Sequence, residues 1–177
     1  MNTDDVTAYY RLLEKTLNES IAPPFFYLFL WMAETLNYTL FSPNQPSSAE
    51  ISFPENSPFI ELLSKKGKAI ALFADETLPK LSQNDRAKLS LLEMSVCYPL
   101  LSMNRLIGFI GLGKPLTAKT YSREDHHFME EICRQSSLLI HHLLEKEAVR
   151  QQIHQMETLN RLAQGINVTL HFDDLLE

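Results

Sequence analysis

The 177-residue sequence has little of what several classes of protein require. Its two cysteines, Cys97 and Cys133, are too few for the disulfide framework of a small secreted domain. Its longest apolar run, Ile21–Ala33, is shorter than the roughly 18 residues of a membrane-spanning helix, and Pro23 and Pro24 interrupt it. The first ten residues, MNTDDVTAYY, are acidic and polar, unlike a signal peptide. We therefore expect a cytoplasmic protein without a membrane span.

Positive charge is also scarce. Lysine and arginine number 16 against 22 aspartates and glutamates, for a net charge of −6. The only local basic cluster, Lys65, Lys66 and Lys68, has no aromatic stacking platform beside it, so we expect no nucleic-acid partner. A hydrophobic content of 45% is ordinary for a globular protein, and the length suits one domain with an extension.

The N-terminal third predicts a helix followed by a hairpin. Apolar residues at three- and four-residue spacing indicate an amphipathic helix over Val6–Ile21. The aromatic run Phe25–Met32 and the short run Tyr38–Ser42 read as two paired strands. A helix through Phe25–Leu36 stays open as the alternative, since short apolar runs are ambiguous. A Pro- and Ser-rich loop follows, with one edge strand expected around Ile51–Phe53.

The middle of the sequence carries clear helix signals. Ser57 is placed to cap a helix that has Pro58 in its first turn and ends at Gly67. A strand over Lys68–Phe73 is expected next. A second capped helix should then run from Ser82 to about Glu93.

The strongest strand signal lies in Ser95–Gly113, where two apolar runs flank Met103 and Asn104, a pair suited to a tight turn. The second run contains three glycines, which predict a close approach by neighbouring backbone or side chains: Gly108, Gly111 and Gly113. Hairpins with helices between them predict an α+β domain, an antiparallel β-sheet flanked by helices.

A very long helix is expected at the C-terminus. Ser122 and Asp125 form a capping-box pattern, and neither glycine nor proline follows before Gly165. Its first four turns are expected to cover the sheet, and the rest must leave the domain. Apolar residues near heptad spacing predict a dimeric coiled coil along this connector: Ile132, Leu139, Val149, Ile153 and Met156.

The stretch from Ser95 to Leu144 resembles the C-terminal half of a GAF domain. The resemblance rests on a strand with a Pro-Leu pair at 99–100, an Ile-Gly strand at 107–108, and a Tyr-Ser-x-x-Asp helix start at 121–125, in that order. It covers roughly residues 25 to 145. The domains expected are an N-terminal helix over 1–24, a GAF-like sensory domain over 25–145, and a coiled-coil connector over 146–177. In that connector Asp173 would cap the first helix of a following domain that the sequence lacks.

The resemblance implies a regulatory domain that binds an unknown small molecule, acts as a homodimer and signals to a downstream output module. Its cavity would lie between the sheet and the helices Ser57–Lys66 and Gln83–Glu93, with candidate lining residues Trp31, Phe73 and Phe109. The alternative is a purely structural dimerisation module with a filled cavity.

Specialised chemistry is not expected of this chain. The sequence around Cys97 and Cys133 lacks the adjacent histidine typical of covalent bilin attachment. His127 and Glu131 share a helix face, but a zinc-protease signature is missing. We expect neither a catalytic nor a metal site; a full-length protein could be a kinase or a cyclic-dinucleotide enzyme.

Overall fold

A computed structural model describes residues 3–43, 51–72, 81–116 and 120–173. The described elements run in the order helix, three strands, helix, strand, helix, two strands, helix. Their bounds are α1 Thr3–Ser20, β1 Phe26–Met32, β2 Asn37–Phe41, β3 Ser52–Pro54, α2 Pro58–Lys66, β4 Ile70–Ala71, α3 Gln83–Leu91, β5 Met94–Ser102, β6 Arg105–Gly113 and α4 Arg123–Asp173.

The six strands form one antiparallel sheet in the order β3-β2-β1-β6-β5-β4. This confirms the predicted α+β class with helices flanking an antiparallel sheet. The run beginning at Phe26 is a strand, so the helical alternative for Phe25–Leu36 is wrong. Aromatic and branched side chains pack well on a pleated surface between neighbouring strands, which favours the strand here.

Helices cover both faces of the sheet, and successive residues of a strand serve opposite faces. Leu28 and Leu30 of β1 belong to a core shared with α1 and α4, which we call the α1–α4 face. Phe29 between them belongs to a second core shared with α2 and α3, the α2–α3 face. Because β1 and β6 are covered on both sides, their sequences are apolar almost throughout.

The helix boundaries follow the capping residues. The Ser57 hydroxyl accepts a hydrogen bond from the Ile60 amide, and Gly67 ends α2 in a left-handed conformation with φ of 56°. Ser82 accepts from the Asp85 amide at 3.0 Å. At α4 the capping box is reciprocal: the Asp125 amide donates to the Ser122 hydroxyl, and the Ser122 amide donates to the Asp125 carboxylate.

One turn, one strand and one helix differ in how closely they match the sequence patterns. Met103 and Asn104 both have positive φ, 48° and 61°, which confirms the predicted tight turn between β5 and β6. The strand expected over Lys68–Phe73 is only Ile70–Ala71. Gly165, the first glycine after the start of α4, does not end the helix, which continues to Asp173; a lone glycine weakens a helix by about 1 kcal/mol without removing a backbone donor.

Candidate ligand clefts and connector helix

The α2–α3 face, where the ligand cavity was predicted, is filled by aromatic rings among the described residues. Phe29 stacks on Phe109 with ring centroids 4.5 Å apart, and Phe53 and Phe59 meet the Phe109 ring edge-on at 5.8 and 5.5 Å. All four side chains are completely buried. Phe109, a predicted lining residue, is thus part of a closed aromatic cluster, which we define as these four rings.

Trp31 lies at the margin of this cluster. Its ring is 5.2 Å from the Tyr38 ring, which in turn lies 6.3 Å from that of Phe109, so Tyr38 joins two of the predicted site residues. The Arg105 guanidinium sits over the Trp31 ring at 5.5 Å, within cation–π range. The third predicted residue, Phe73, lies outside the described residues.

A charged cleft of about 460 Å³ opens beside Trp31, at the end of the sheet near the turn between β5 and β6. Its walls come from β2, α2 and the start of β6, and they contribute two carboxylates and two cations. They are Tyr38, Glu55, Ile60, Glu61, Ser64, Lys65, Asn104, Arg105 and Leu106. The cleft touches the outer part of α2 but includes no residue of α4.

A second opening, the helix groove, has a volume of about 350 Å³ and lies against α4. It is lined by the link between α2 and β4, by β5 and by one face of α4: Gly67, Lys68, Ala69, Tyr98, Pro99, Leu101, Glu130, Cys133, Arg134 and Ser137. The sequence patterns did not identify this groove, because its three walls are about thirty residues apart along the chain.

Two tyrosines tie the start of α4 to the sheet. The buried Tyr121 hydroxyl donates to the Gly113 carbonyl at 2.6 Å, anchoring the helix start to the end of β6. The Tyr98 hydroxyl of β5 lies 2.6 Å from Nδ1 of His126, in the first turn of α4. Further along, the Tyr9 hydroxyl of α1 donates to Ser136. The Tyr-Ser-x-x-Asp motif therefore both caps and anchors the helix.

Burial of the Tyr38 and Tyr121 hydroxyl groups predicts a loss of stability at high pH. Burial raises the pKa of Tyr38 and of Tyr121 from 10.0 to about 12, and nearby Glu55 and Asp125 add to the respective shifts. Above about pH 10 the unfolded chain releases these protons while the folded chain keeps them, so the contribution of the two tyrosines to the free energy of unfolding should be constant below about pH 10 and fall between about pH 10 and 12.

Urea denaturation at several pH values, followed by circular dichroism, measures this dependence. Tyr38→Phe removes one of the titrating groups and should give a shallower decline, at the cost of the hydrogen bond from Tyr38 to the Leu106 carbonyl. A free energy of unfolding that stays constant up to about pH 12 would contradict the prediction.

Both thiols are buried, Cys97 on the α2–α3 face and Cys133 on the α1–α4 face. Burial raises the pKa of each thiol well above its usual value, which keeps it protonated and unreactive at neutral pH. Across the described residues, no group of three or more potential metal ligands comes together. None of the described helices is long and apolar enough to cross a membrane.

Helix α4 is 51 residues long, about 76 Å at 1.5 Å per residue. Met129, Cys133 and Ile140 are buried against the sheet, and Ile132 packs beside them at the margin of the same core. Lys146 reaches Asp5 of α1 at 3.4 Å. The remaining connector residues predicted from heptad spacing are exposed: Leu139, Val149, Ile153 and Met156.

No family model matches the sequence, and no curated protein matches it. Solved structures do resemble the fold. The GAF domain of a two-component sensor histidine kinase from Bacillus halodurans has a TM-score of 0.60 at 16% identity, covering 83% of this chain and 99% of that one. The GAF domain/HD domain protein from Geobacter sulfurreducens has a TM-score of 0.59 at 12% identity, covering 81% and 95%.

A third similar structure is the GAF domain of a phosphoenolpyruvate-protein phosphotransferase from Coxiella burnetii, with a TM-score of 0.55 at 18% identity over 75% of this chain and 80% of that one. At such identities the similarity concerns the fold. This chain has the fold of a GAF domain.

Proposed function

We propose that this chain is a ligand-responsive regulatory domain of a signalling protein, which relays a conformational change through a dimeric helix to an output module. The observation that carries the proposal is the continuity of α4. One face of its first turns, including Met129, Cys133 and Ile140, is buried on the sheet, and the same helix then continues with exposed apolar residues. A change in packing on the sheet is therefore also a change in the position of the connector.

The relay requires two packings of α4 that differ in ligand affinity. A ligand that contacts one packing better shifts the population toward it by its differential affinity. Small shifts or rotations of a helix at a subunit interface are a common form of such a switch. The three similar structures come from a sensor kinase, an HD domain protein and a phosphotransferase, which supports an output module of an enzymatic kind beyond this chain.

The second candidate function is a structural dimerisation module that binds no ligand. The closed aromatic cluster favours it, because Phe29, Phe53, Phe59 and Phe109 occupy the space where a cavity was predicted. The charged cleft and the helix groove favour sensing, because each is within or near the size range of small-molecule sites, about 300–1,000 Å³.

Dimerisation through the connector is tested by truncation. The 177-residue chain should be a dimer, and the chain ended after Leu144 should be a folded monomer, because the exposed seam residues Val149, Ile153 and Met156 are removed while the residues buried on the sheet remain. Sedimentation equilibrium gives the mass of each species, and circular dichroism reports whether the truncated chain is folded.

A pair of point substitutions distinguishes the effect of a charge within the predicted dimer seam from the effect of a charge at any exposed position of α4. Ile153→Glu should dissociate the dimer, because it places a charge in the seam. Leu138→Glu is the matched control: Leu138 is as exposed as Ile153 but lies off the seam, and its dimer should persist. A truncated chain that remains dimeric would place the interface elsewhere and contradict the proposed role of the connector.

A further inference from the structure

We propose that the helix groove binds a small aromatic carboxylate, and that this is the site through which a ligand moves α4. This inference rests on the proposed function and assigns its ligand class and its site. The groove lies apart from the α2–α3 face, where the cavity was predicted, and its lining includes residues of the connector helix, which the lining of the charged cleft does not.

The position of the groove suits control of α4. Four lining residues follow one another at helical spacing on a single face of the helix: Glu130, Cys133, Arg134 and Ser137. The opposite wall is formed by Tyr98, Pro99 and Leu101 of β5, next to the link from α2. A molecule in the groove would therefore touch the connector and the sheet together, and its contacts would depend on their relative position.

The groove exists because the edge of the sheet is short there. Strand β4 has two residues, which pair with Val96 and Cys97, so β5 continues beyond its partner. The link turns away at Gly67, which has a positive φ. Pro99 has no N–H, so exposing this part of the edge leaves no backbone donor unpaired at that residue, and proline there discourages another strand from pairing.

Two cations border the groove on an acidic protein. Lys68 and Arg134 line it together with Glu130, and Glu131 pairs with Arg134, so Lys68 supplies the positive charge that no described carboxylate offsets by direct contact. Within the described residues Lys68 is exposed and makes no ion pair or hydrogen bond. Arg134 binds the Glu131 carboxylate through Nε and Nη2, which holds the guanidinium in place and leaves three of its five N–H donors available.

The apolar residues of the groove and its small volume favour a ligand with a small, flat ring. Ala69, Pro99, Leu101 and Cys133 supply apolar contacts, and the volume of about 350 Å³ is at the small end of ligand sites. A ring can cover the apolar surface while its carboxylate meets Lys68 and Arg134, with charge-assisted hydrogen bonds. Glu130 can accept a hydrogen bond from a ring hydroxyl, and it disfavours a second negative charge.

The charged cleft lacks this combination. Glu55 and Glu61 accompany Lys65 and Arg105 in its walls, Arg105 lies over the Trp31 ring, and the cleft does not contact α4. Lys65 is nevertheless close in sequence to Lys68 and carries the same charge. It therefore provides a matched control for removing one lysine from this part of the surface.

The test uses 4-hydroxybenzoate as the probe and 4-hydroxybenzamide as its uncharged counterpart, with the 177-residue chain in isothermal titration calorimetry. We expect the carboxylate to bind and the amide to bind at least about tenfold more weakly, since hydrogen bonds to charged groups contribute about 1.5–3 kcal/mol. Lys68→Ala and Arg134→Ala should each weaken carboxylate binding by about tenfold. Lys65→Ala should leave it within about twofold.

Glu131→Gln keeps Arg134 and removes the charge of its intrahelical partner, so its binding should match or exceed that of the parent chain. Three results would overturn the inference: no carboxylate binding, equal binding of the amide, or a loss of binding confined to Lys65→Ala, which would assign the ligand to the charged cleft. Sedimentation of the same samples separates the two proposals. A dimer that does not bind the probe overturns this inference alone, whereas a monomer that binds it overturns the dimeric relay.

Discussion

Replacing Phe109 by alanine should lower the free energy of unfolding by about 3–5 kcal/mol, the usual range for a buried phenylalanine. Phe109 is completely buried and its ring contacts Phe29, Phe53 and Phe59, all equally buried. Alanine would leave a cavity lined by rings that are held by two strands and a helix and cannot collapse into it. The sum of lost burial and residual cavity makes the effect large.

Urea denaturation followed by circular dichroism gives the free energy of unfolding of each variant. Phe25→Ala is a suitable control, because Phe25 lies just before β1 and is 45% exposed; its loss should be about 1 kcal/mol or less. If Phe109→Ala cost no more than Phe25→Ala, the cluster would not be the closed core described, and a ligand cavity lined by Phe109 would regain support.

Gly108→Ala should be at least as damaging, with a loss of about 3 kcal/mol or more. A Cβ at this position would lie 2.4 Å from the backbone carbonyl oxygen of Phe29, far inside van der Waals contact. That carbonyl cannot move aside easily, because β1 is paired with β6 through this region, with Leu30 opposite Gly108 and Phe29 opposite Phe109. Relief of the contact requires the two central strands to separate.

Gly111→Ala is the matched comparison on the same strand. Its Cβ would meet the Met94 side chain, with the sulfur at 2.1 Å, and not a backbone atom. A methionine can change rotamer, so the expected loss is smaller, about 1–2 kcal/mol. Thermal and urea unfolding of both variants rank them, and a larger loss for Gly111→Ala would contradict the argument. The close approach predicted from these glycines is confirmed at both positions.

Local signals predicted much of the fold. The serine caps at Ser57, Ser82 and Ser122, the left-handed stop at Gly67 and the turn at Met103 and Asn104 act over three to five residues, so their spacing in the sequence is enough to predict them. The pairing of β5 with β6 follows from one such turn. The order of Pro99, Ile107 and Tyr121 along the sequence is sufficient to suggest the GAF fold.

The length of α4 was predictable for a similar reason. A run without glycine or proline has nothing to end a helix. Whether Leu139, Val149, Ile153 and Met156 form a dimer seam remains a prediction, as do the domain boundaries at 24 and 145. Ile132, chosen with them on spacing alone, packs at the margin of the domain core, because heptad spacing cannot distinguish a partner helix from a sheet.

The sequence by itself therefore determined the helices, most strands, the fold class and the presence of a helix too long for its own domain. Only the tertiary structure decided which apolar residues fill space and which border an opening. Phe109 and Trp31 look alike in the sequence, yet one is closed within four rings and the other stands beside a charged cleft. Packing depends on neighbours that the sheet brings together from distant parts of the chain. The helix groove is an example, because Lys68 lies in the link before β4, Pro99 in β5 and Arg134 in α4, and the groove forms only where these three segments meet.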